Sequence, residues 1–513
     1  MLHGISHKEY LVLPAPSEDD SRSDQRRVLD ALDELGYPAC FSLRALRQLS
    51  AVCPRADWRI TAALAWDGAR WVVAALSAGD TTAQHYGYAV DLGSTGVVMQ
   101  LLDCNSGTVL AEQAAPNGQI AWGEDILSRI FACKEDPAVR EQLQQATIDT
   151  LLLLCGQLEE QTGVSPAQCI SMVISGNTAM IHFLLGLDAF CVFSAPFAVH
   201  TDAPPFLPAQ ALGLPLCGYV YCVPSKSNYI GGDIISGMLA TELYRRADIC
   251  VFFDIGTNGE LVVGNRDFLL CCAGAAGPAL EGGVIKTGMR ACTGAVEHVT
   301  LKNGEPVCRV IGGGQPIGIC GSGVVDLMAA LLLSGLLDLR GRLQEGASPR
   351  ITRDGQTGEL RYLYAPGLWL YQSDLDEFIR TKSAAATMVE YVLREAGIPM
   401  DAVSDFYAAG AFGSHVDVES AVTIGMYPDL PRAHLIPAGN TSLLGAQKLL
   451  LDRTLAAQID GILEKMTYFQ LSQATDFVSM MVAAQALPHT DLDRYPSVRR
   501  KLASRAAGSN AEG

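Results

Sequence analysis

Two stretches of the chain share one pattern of apolar and polar positions. In residues 90–98 and again in residues 253–261, an apolar run ends in Asp, and an apolar residue, a short glycine-containing polar turn and a second apolar run follow. This pattern predicts two β-strands joined by a tight turn. Because the pattern occurs twice, it also predicts an internal repeat and therefore two related subdomains.

The two turns predict an anion-binding site, and we interpret the space between the subdomains as a nucleotide cleft. Glycine lets the backbone approach a ligand and turn its N–H groups toward it. Asp91 and Asp254 end the first strand of each stretch, where they can hold Mg²⁺ through water, because this cation keeps much of its hydration shell beside phosphates. The turn residues expected to line the nest are Gly93, Ser94, Thr95, Gly256, Thr257 and Gly259.

The pattern elsewhere predicts alternating helices and strands. Residues 1–24 include a polar, acidic run and are predicted to be flexible. Residues 25–82 show two helical patterns, the second capped by Ser42, and then two apolar runs around Asp67-Gly68, which predict a small α+β unit with a hairpin. Residues 456–500 predict a closing helix–strand–helix unit.

Further glycine-rich loops precede predicted helices. In residues 175–182 a strand runs through Gly-Asn-Thr into a helix whose N-terminus can stabilise an anion. His182 within that helix is either a packing histidine or a catalytic one. Asp233 follows two glycines and either binds near phosphate or Mg²⁺ or stabilises the start of its own helix.

Two later loops are candidate walls of the same cleft. Residues 274–283 form a small-residue loop that predicts a lid or a phosphate-side wall, with Gly277 at the ligand and Glu281 as a candidate base or water-orienting group. Residues 406–414 predict a strand that ends in glycines spaced to admit a flat ring.

Composition narrows the classes of function. The chain has 513 residues, 49% of them hydrophobic, which leaves room for several cores. A net charge of −18 argues against nucleic-acid binding. We find no signal-peptide pattern and no apolar run long enough for a bilayer, so the sequence predicts a cytoplasmic protein without a membrane segment. The 15 cysteines are scattered without Cys-x-x-Cys, which predicts reduced thiols and no metal cluster.

With these motifs in place, the chain resembles the acetate and sugar kinase/heat-shock protein/actin (ASKHA) superfamily of ATPases. The two Asp-x-Gly turns match its phosphate motifs, and Ala409-Gly410-Ala411-Phe412-Gly413 matches its adenosine motif. Within the superfamily, the chain is similar to the reductive activators of corrinoid proteins over about residues 25–500. The motifs that carry this similarity are residues 254–260, 276–282, 410–413 and 439–440.

The resemblance implies an α/β, actin-like ATPase fold, in which two duplicated RNase H-like subdomains surround the nucleotide cleft and a small α+β domain precedes them. The expected segments are a flexible N-terminus at 1–24, a small α+β domain of the family's middle type at 25–85, subdomain I at 86–250, subdomain II at 251–455, a C-terminal closing unit at 456–505 and a disordered tail at 506–513.

The resemblance also implies roles for individual residues. Asp91 and Asp254 would hold the Mg²⁺ of ATP, and Glu281 would be the third catalytic group. Thr95, Thr257 and Asn258 would contact the phosphates. The residues expected at the adenosine are Gly410, Ala411, Phe412, Gly413, Gly439 and Asn440.

Members of that family use ATP to drive the one-electron reduction of an inactive Co(II) corrinoid to Co(I) on a partner methyltransferase system. The usual electron source is an N-terminal [2Fe–2S] ferredoxin module, but this chain has only Cys40 and Cys53 before residue 86. We therefore expect no iron–sulfur cluster in this chain, and either a separate low-potential donor protein supplies the electron or the chain is an ATPase module with a divergent task. The resemblance also implies a corrinoid carried by the partner and a homodimer.

Two other classes of function share the same cleft. A small-molecule kinase of the acetate or sugar kinase type would need a carboxylate base near the γ-phosphate, and Asp233 or Glu281 could serve. A non-catalytic, actin- or chaperone-like ATP-binding module would hydrolyse ATP very slowly and assemble with itself or with peptides.

Overall fold

The computed structural model describes residues 3–256, 258–275, 280, 282–471 and 476–509. Two compact units make up the chain: residues 1–240 with 441–465, and residues 241–440 with 466–513. Within the described ranges, every helix is too short or too polar to cross a bilayer.

The first unit begins with a four-stranded sheet in the order β1-β3-β4-β2. Its elements are β1 (Ser6–Val12), α1 (Asp24–Glu34), β2 (Ala39–Phe41), α2 (Leu43–Val52), β3 (Arg59–Trp66) and β4 (Trp71–Ala78). The predicted hairpin is confirmed as β3–β4, and Ser42 caps α2 by accepting a hydrogen bond from Ala45 N–H at 3.1 Å. The prediction of a flexible N-terminus is wrong for residues 6–12, because they pair along β3 from end to end.

A six-stranded sheet in the order β7-β6-β5-β8-β10-β9 completes the strands of the first unit. Its elements are β5 (Tyr86–Leu92), β6 (Gly96–Asp103), β7 (Thr108–Pro116), α3 (Ile126–Glu135), α4 (Ala138–Thr162), β8 (Cys169–Gly176), α5 (Thr178–Leu184), α6 (Phe190–Phe193), β9 (Leu207–Pro208), β10 (Tyr219–Cys222) and α7 (Gly232–Thr241). The predicted hairpin around Asp91 is confirmed as β5–β6. On the other side of β5, β8 and then β10 run parallel to it.

The second unit repeats this arrangement around β11, in the order β21-β20-β11-β12-β13-β22. The elements up to residue 440 are β11 (Ile249–Ile255), β12 (Asn258–Gly264), β13 (Leu269–Ala275), β14 (Ala295–Lys302), β15 (Glu305–Val310), β16 (Gly318–Ile319), α8 (Gly321–Ser334), β17 (Ile351–Arg353), β18 (Leu360–Ala365), β19 (Leu368–Tyr371), α9 (Gln372–Glu395), β20 (Val403–Ala409), α10 (Gly410–His415), α11 (Val418–Thr423) and β21 (Leu435–Gly439).

The internal repeat predicted from the two Asp-containing stretches is present in the strand topology. In the first unit β5, β6 and β7 form an antiparallel meander, β8 pairs in parallel with β5, and β10 pairs in parallel with β8. In the second unit β11, β12 and β13 form the corresponding meander, β20 pairs in parallel with β11, and β21 pairs in parallel with β20. Asp91 and Asp254 therefore occupy equivalent positions, one residue before the end of the central strand of each sheet.

The chain returns to the first unit with α12 (Thr441–Leu451) and α13 (Thr454–Lys465). The expected boundary of subdomain II at 455 is therefore wrong for residues 441–455, and the expected closing unit at 456–505 is wrong for residues 456–465, which also belong to the first unit. The reason lies in the packing of α12, whose residues Leu443, Ala446 and Leu449 are buried and which contacts β5 and β8 of the first unit.

The second unit is completed by β22 (Met466–Tyr468), α14 (Phe477–Ala484) and α15 (Pro496–Ser509). Lys382 in α9 is fully buried and donates its three N–H groups to the carbonyls of Ala484 (2.5 Å), Ala486 (2.8 Å) and Pro488 (2.6 Å). The expected disordered tail begins too early, because α15 continues through the alanines to Ser509. Residues 510–513 lie outside the described ranges.

Candidate functional site

In the first unit, the candidate site lies where β5, β8 and β10 end. The turn after Asp91 is built on Gly93, because a Cβ at this position would lie 2.6 Å from Gly96 O. Asn117, which is 1% exposed, fixes the same turn by donating its side-chain N–H to Gly93 O at 2.8 Å and its backbone N–H to Thr95 O at 3.0 Å. Asn117 was not predicted as a site residue, although it begins a loop with Gly118 that has the composition of a turn.

The ends of β8 and β10 include glycines at close backbone approaches, Gly176 against the end of β5 and Gly231 against the segment after β8. A Cβ at Gly176 would lie 2.7 Å from Leu92 O, and a Cβ at Gly231 would lie 2.4 Å from Asn177 Cα. Asn177 caps α5 by accepting a hydrogen bond from Met180 N–H at 3.0 Å, as its position before a helix predicts.

Asp233 occupies the first turn of α7, where it stabilises the start of the helix, and a role near phosphate or Mg²⁺ stays a prediction. Its Oδ1 accepts a hydrogen bond from Ile234 N–H at 2.9 Å, which stabilises the start of the helix. Burial, reinforced by the nearby charge of Asp91, raises the pKa of Asp233 to about 7. A carboxyl group with that pKa can exchange a proton near neutral pH.

A serine that no sequence pattern singles out also touches Asp91. Ser442, in the first turn of α12, donates a hydrogen bond from Oγ to Asp91 Oδ1 at 2.7 Å. Its hydroxyl also lies 2.9 Å from that of Ser175 at the end of β8. The carboxylate of Asp91 is therefore held by a side chain from a distant part of the sequence.

In the second unit, the strand pairing brings Asp254 next to the Gly410 turn. β11 and β20 are parallel, with Asp254 opposite Ala409. Gly410 follows with φ +82°, and a Cβ on it would lie 2.5 Å from Asp254 Oδ1. The turn after Asp254 is closed by a hydrogen bond from Gly256 N–H to Asn258 O at 2.9 Å.

The remaining predicted residues of the second unit differ in exposure. Asn258 is exposed, whereas Gly259 is buried within β12 opposite Ile255. Phe412 is 7% exposed and belongs to the hydrophobic core, so its ring packs into the unit. Gly439 has φ +74°, and a Cβ on it would have no atom within 4 Å, so this end of β21 is open.

Several predicted residues cannot be placed. Thr257, Gly277 and Glu281 lie outside the described residues, and only the backbone of Ala411 is described. Ser94 and Thr95 are half-buried in the turn after Asp91, and Asn440 follows β21 as an exposed residue.

The surroundings of His182 and the state of the cysteines can be described directly. His182 is fully buried in α5, donates Nδ1–H to Thr178 O at 2.7 Å, and has its pKa lowered by burial. The 15 cysteines are free thiols. Among the residues with described positions, no three His, Cys, Asp or Glu side chains are grouped so that they could hold a metal ion.

Comparison with known proteins identifies three consecutive family regions along the chain. Residues 4–83 match the RACo linker region, residues 86–246 match the RACo middle region, and residues 248–499 match the C-terminal domain of RACo, described as the ASKHA domain. The chain belongs to the RACo family. The ASKHA fold predicted from the motifs is thereby confirmed.

Individual known proteins are similar to this chain over most of its length. A corrinoid activation enzyme, RamQ, from Eubacterium limosum is 32% identical over 409 residues, which is 77% of this chain and 69% of RamQ. A reductase of the Co(II) methylated amine-specific corrinoid protein from Methanosarcina barkeri is 25% identical over 432 residues, 76% of this chain and 74% of the reductase. A solved structure of a reductive activator for corrinoid, iron–sulfur protein superposes with a TM-score of 0.89 at 34% identity, covering 97% of this chain and 81% of that chain.

Proposed function

We propose that this RACo-family protein is an ATP-dependent reductive activator of a corrinoid protein in a methyltransferase system. The observation that carries the proposal is the presence, in order, of all three RACo regions over residues 4–499. The relatives named as a corrinoid activation enzyme and as a reductase of a methylated amine-specific corrinoid protein support the same reaction class.

The residues of each unit fit a nucleotide with its magnesium ion. Asp91 and Asp254 lie one residue before the end of equivalent central strands. Gly410 leaves room for the Asp254 carboxylate, because a Cβ at position 410 would collide with it. Carboxylates that bind through water are typical partners of Mg²⁺ beside phosphates. In our proposal Asp91 and Asp254 hold the ion, and Thr95, Thr257 and Asn258 contact the phosphates. Bound Mg²⁺ would neutralise phosphate charge.

Further residues complete the proposed site. The backbone around Gly410 and Gly413 and the open end of β21 at Gly439 and Asn440 face the adenosine in this proposal, and Glu281 orients water. Phe412 contributes through its backbone and its packing, because its ring is buried.

In this proposal, ATP binding and hydrolysis change the arrangement of the two units of the chain. A ligand can shift a conformational equilibrium only if it binds the two states with different affinity, so the corrinoid partner must prefer one arrangement of the units. In the reaction, a separate low-potential donor loses one electron and Co(II) of the partner's corrinoid gains it to become Co(I). ATP hydrolysis then resets the arrangement.

The test combines the purified protein, ATP, Mg²⁺, a low-potential reductant and candidate corrinoid proteins, including those specific for methylated amines. We expect the absorption spectrum of the cobalt to change from Co(II) to Co(I) only when ATP is present. Asp254→Ala should abolish this change without lowering Tm, whereas Asp401→Ala, an exposed control in the same unit, should leave it intact. Co(I) formation at the same rate without ATP would contradict the proposal.

The position of Asp233 favours one second candidate, a small-molecule kinase. Its carboxyl group lies near Asp91 and has a pKa of about 7, which suits a base that takes a proton from a substrate hydroxyl. ATP turnover stimulated by a sugar or a carboxylic acid, and not by a corrinoid protein, would favour this function.

A further inference from the structure

Three buried serine hydroxyls form a chain that leads to Asp91 in the first unit. Ser442 Oγ lies 2.7 Å from Asp91 Oδ1, Ser175 Oγ lies 2.9 Å from Ser442 Oγ, and Ser236 Oγ lies 2.8 Å from Ser175 Oγ. Ser175 and Ser236 are fully buried, and Ser442 is only 6% exposed. The serines come from α12, β8 and α7, so three separate elements converge on one carboxylate.

An ionised carboxylate at Asp91 fixes the direction of the hydrogen bond that it shares with Ser442. A carboxylate only accepts, and a serine hydroxyl has one proton, so Ser442 donates to Asp91 and cannot also donate to Ser175. Ser175 Oγ lies between Ser442 Oγ and Ser236 Oγ and is also 3.2 Å from Gly232 O, a carbonyl that can only accept. The two other serines therefore surround the Ser442 hydroxyl with buried polar partners, and its proton points to Asp91.

The Ser442 hydroxyl is held in place by the packing of α12. This helix starts where the chain enters the first unit after residue 440. A Cβ at Gly445 would lie 2.5 Å from Ser236 Cα, so α12 and α7 are in close contact. Lys448 strengthens the contact by donating from Nζ to the carbonyls of Leu239 at 3.0 Å and Ala240 at 3.1 Å, in the last turn of α7.

From this geometry we propose that Ser442 is a positioning residue, which holds the Asp91 carboxylate in the orientation that binds the Mg²⁺ of the nucleotide. The proposal rests on the proposed function, because it assumes that Asp91 is a magnesium-binding group. Hydrogen-bond partners of metal-binding groups fix their orientation, and the loss of such a partner lowers metal affinity by roughly 10- to 100-fold.

The test compares Ser442→Ala with Ser442→Thr, which keeps the hydroxyl, and with Ser6→Ala. Ser6 is a buried serine of the same unit whose hydroxyl lies 2.8 Å from His85 Nε2, outside the candidate site. ATP binding is measured by calorimetry over a series of Mg²⁺ concentrations, together with Tm. We expect Ser442→Ala to raise the Mg²⁺ concentration for half-maximal ATP binding by about tenfold or more. Ser442→Thr should stay close to the wild type, and Ser6→Ala should change only Tm.

Unchanged Mg²⁺ dependence in Ser442→Ala, with normal Mg²⁺-dependent ATP binding by the wild type, would overturn the positioning role and leave the proposed function standing. If ATP binding by the wild type does not depend on Mg²⁺, both are overturned. Should Ser442→Ala fail to fold, Ser442→Cys takes its place, because a thiol is a weaker hydrogen-bond donor than a hydroxyl. A rise in the Mg²⁺ concentration for half-maximal ATP binding then supports the proposal, and no rise contradicts it.

Discussion

A methyl group at position 410 should displace the carboxylate of Asp254. A Cβ on Gly410 lies 2.5 Å from Asp254 Oδ1 and 2.8 Å from Ile255 O, whereas real Cβ contacts essentially never fall under 3.0 Å. The carboxylate must therefore move by roughly 0.5–1 Å, and a misplacement of about 1 Å can lower a catalytic rate by about 100-fold. The backbone has φ +82° at this position, so Gly410→Ala also costs about 1–2 kcal/mol of backbone strain.

The strain and the displacement can be separated with a second variant. Gly367, in the turn between β18 and β19, has φ +75° and no atom within 4 Å of a Cβ, so Gly367→Ala introduces the strain alone. Both variants should lower Tm by roughly 2–8 °C, the shift expected for this energy in a unit of this size. Only Gly410→Ala should lose ATP turnover, measured as phosphate release with saturating Mg²⁺. Equal turnover in the two variants would refute the idea that the position of the Asp254 carboxylate matters for the reaction.

Two further predictions concern stability. Lys382→Met leaves three buried carbonyl groups without donors, so we expect a loss of about 3 kcal/mol in the free energy of unfolding by urea, whereas the exposed control Lys302→Met should change little. Arg432 donates to Glu419 and, with Lys501, holds the pKa of Glu419 down at about 2. Because this pKa is depressed in the folded state, its stabilisation is present above the unfolded value of about 4.3 and is lost as the pH falls toward 2. The Tm of Glu419→Gln should therefore fall less than the Tm of the wild type between pH 5 and pH 2. Parallel plots of Tm against pH for the two proteins would contradict the assignment.

The sequence was sufficient for features whose signal is local. The two stretches around Asp91 and Asp254 each contain a complete strand, turn and strand, so their pattern predicted both hairpins and the duplication that relates the sheets. Ser42 likewise indicates the start of α2 by its position before an apolar helical pattern. In these cases the residues that interact lie within a few positions of one another.

Elements whose pairing partners are distant in the chain were not predicted. β1 has the polar composition of an edge strand, which does not by itself indicate a strand. It is identified by its pairing with β3. β10 lies in a Pro-rich segment, 196–224, whose composition is typical of surface loops, yet Val220 and Cys222 are fully buried because the strand pairs with β8. Composition describes a segment in isolation, whereas burial depends on what the rest of the fold places against it.

The candidate site shows the same division between local and distant information. An Asp at the end of a strand is positioned by its own backbone, so Asp91 and Asp254 could be selected from the sequence. Ser442 sits in the first turn of a helix, where a serine is an ordinary capping residue, and nothing near it in the sequence points to a carboxylate. Its role depends on α12 packing against α7, which brings residues 175, 236 and 442 within hydrogen-bond distance of one another. A motif therefore identifies the groups that bind the ligand, while the groups that orient them are found only once the distant helices are in place.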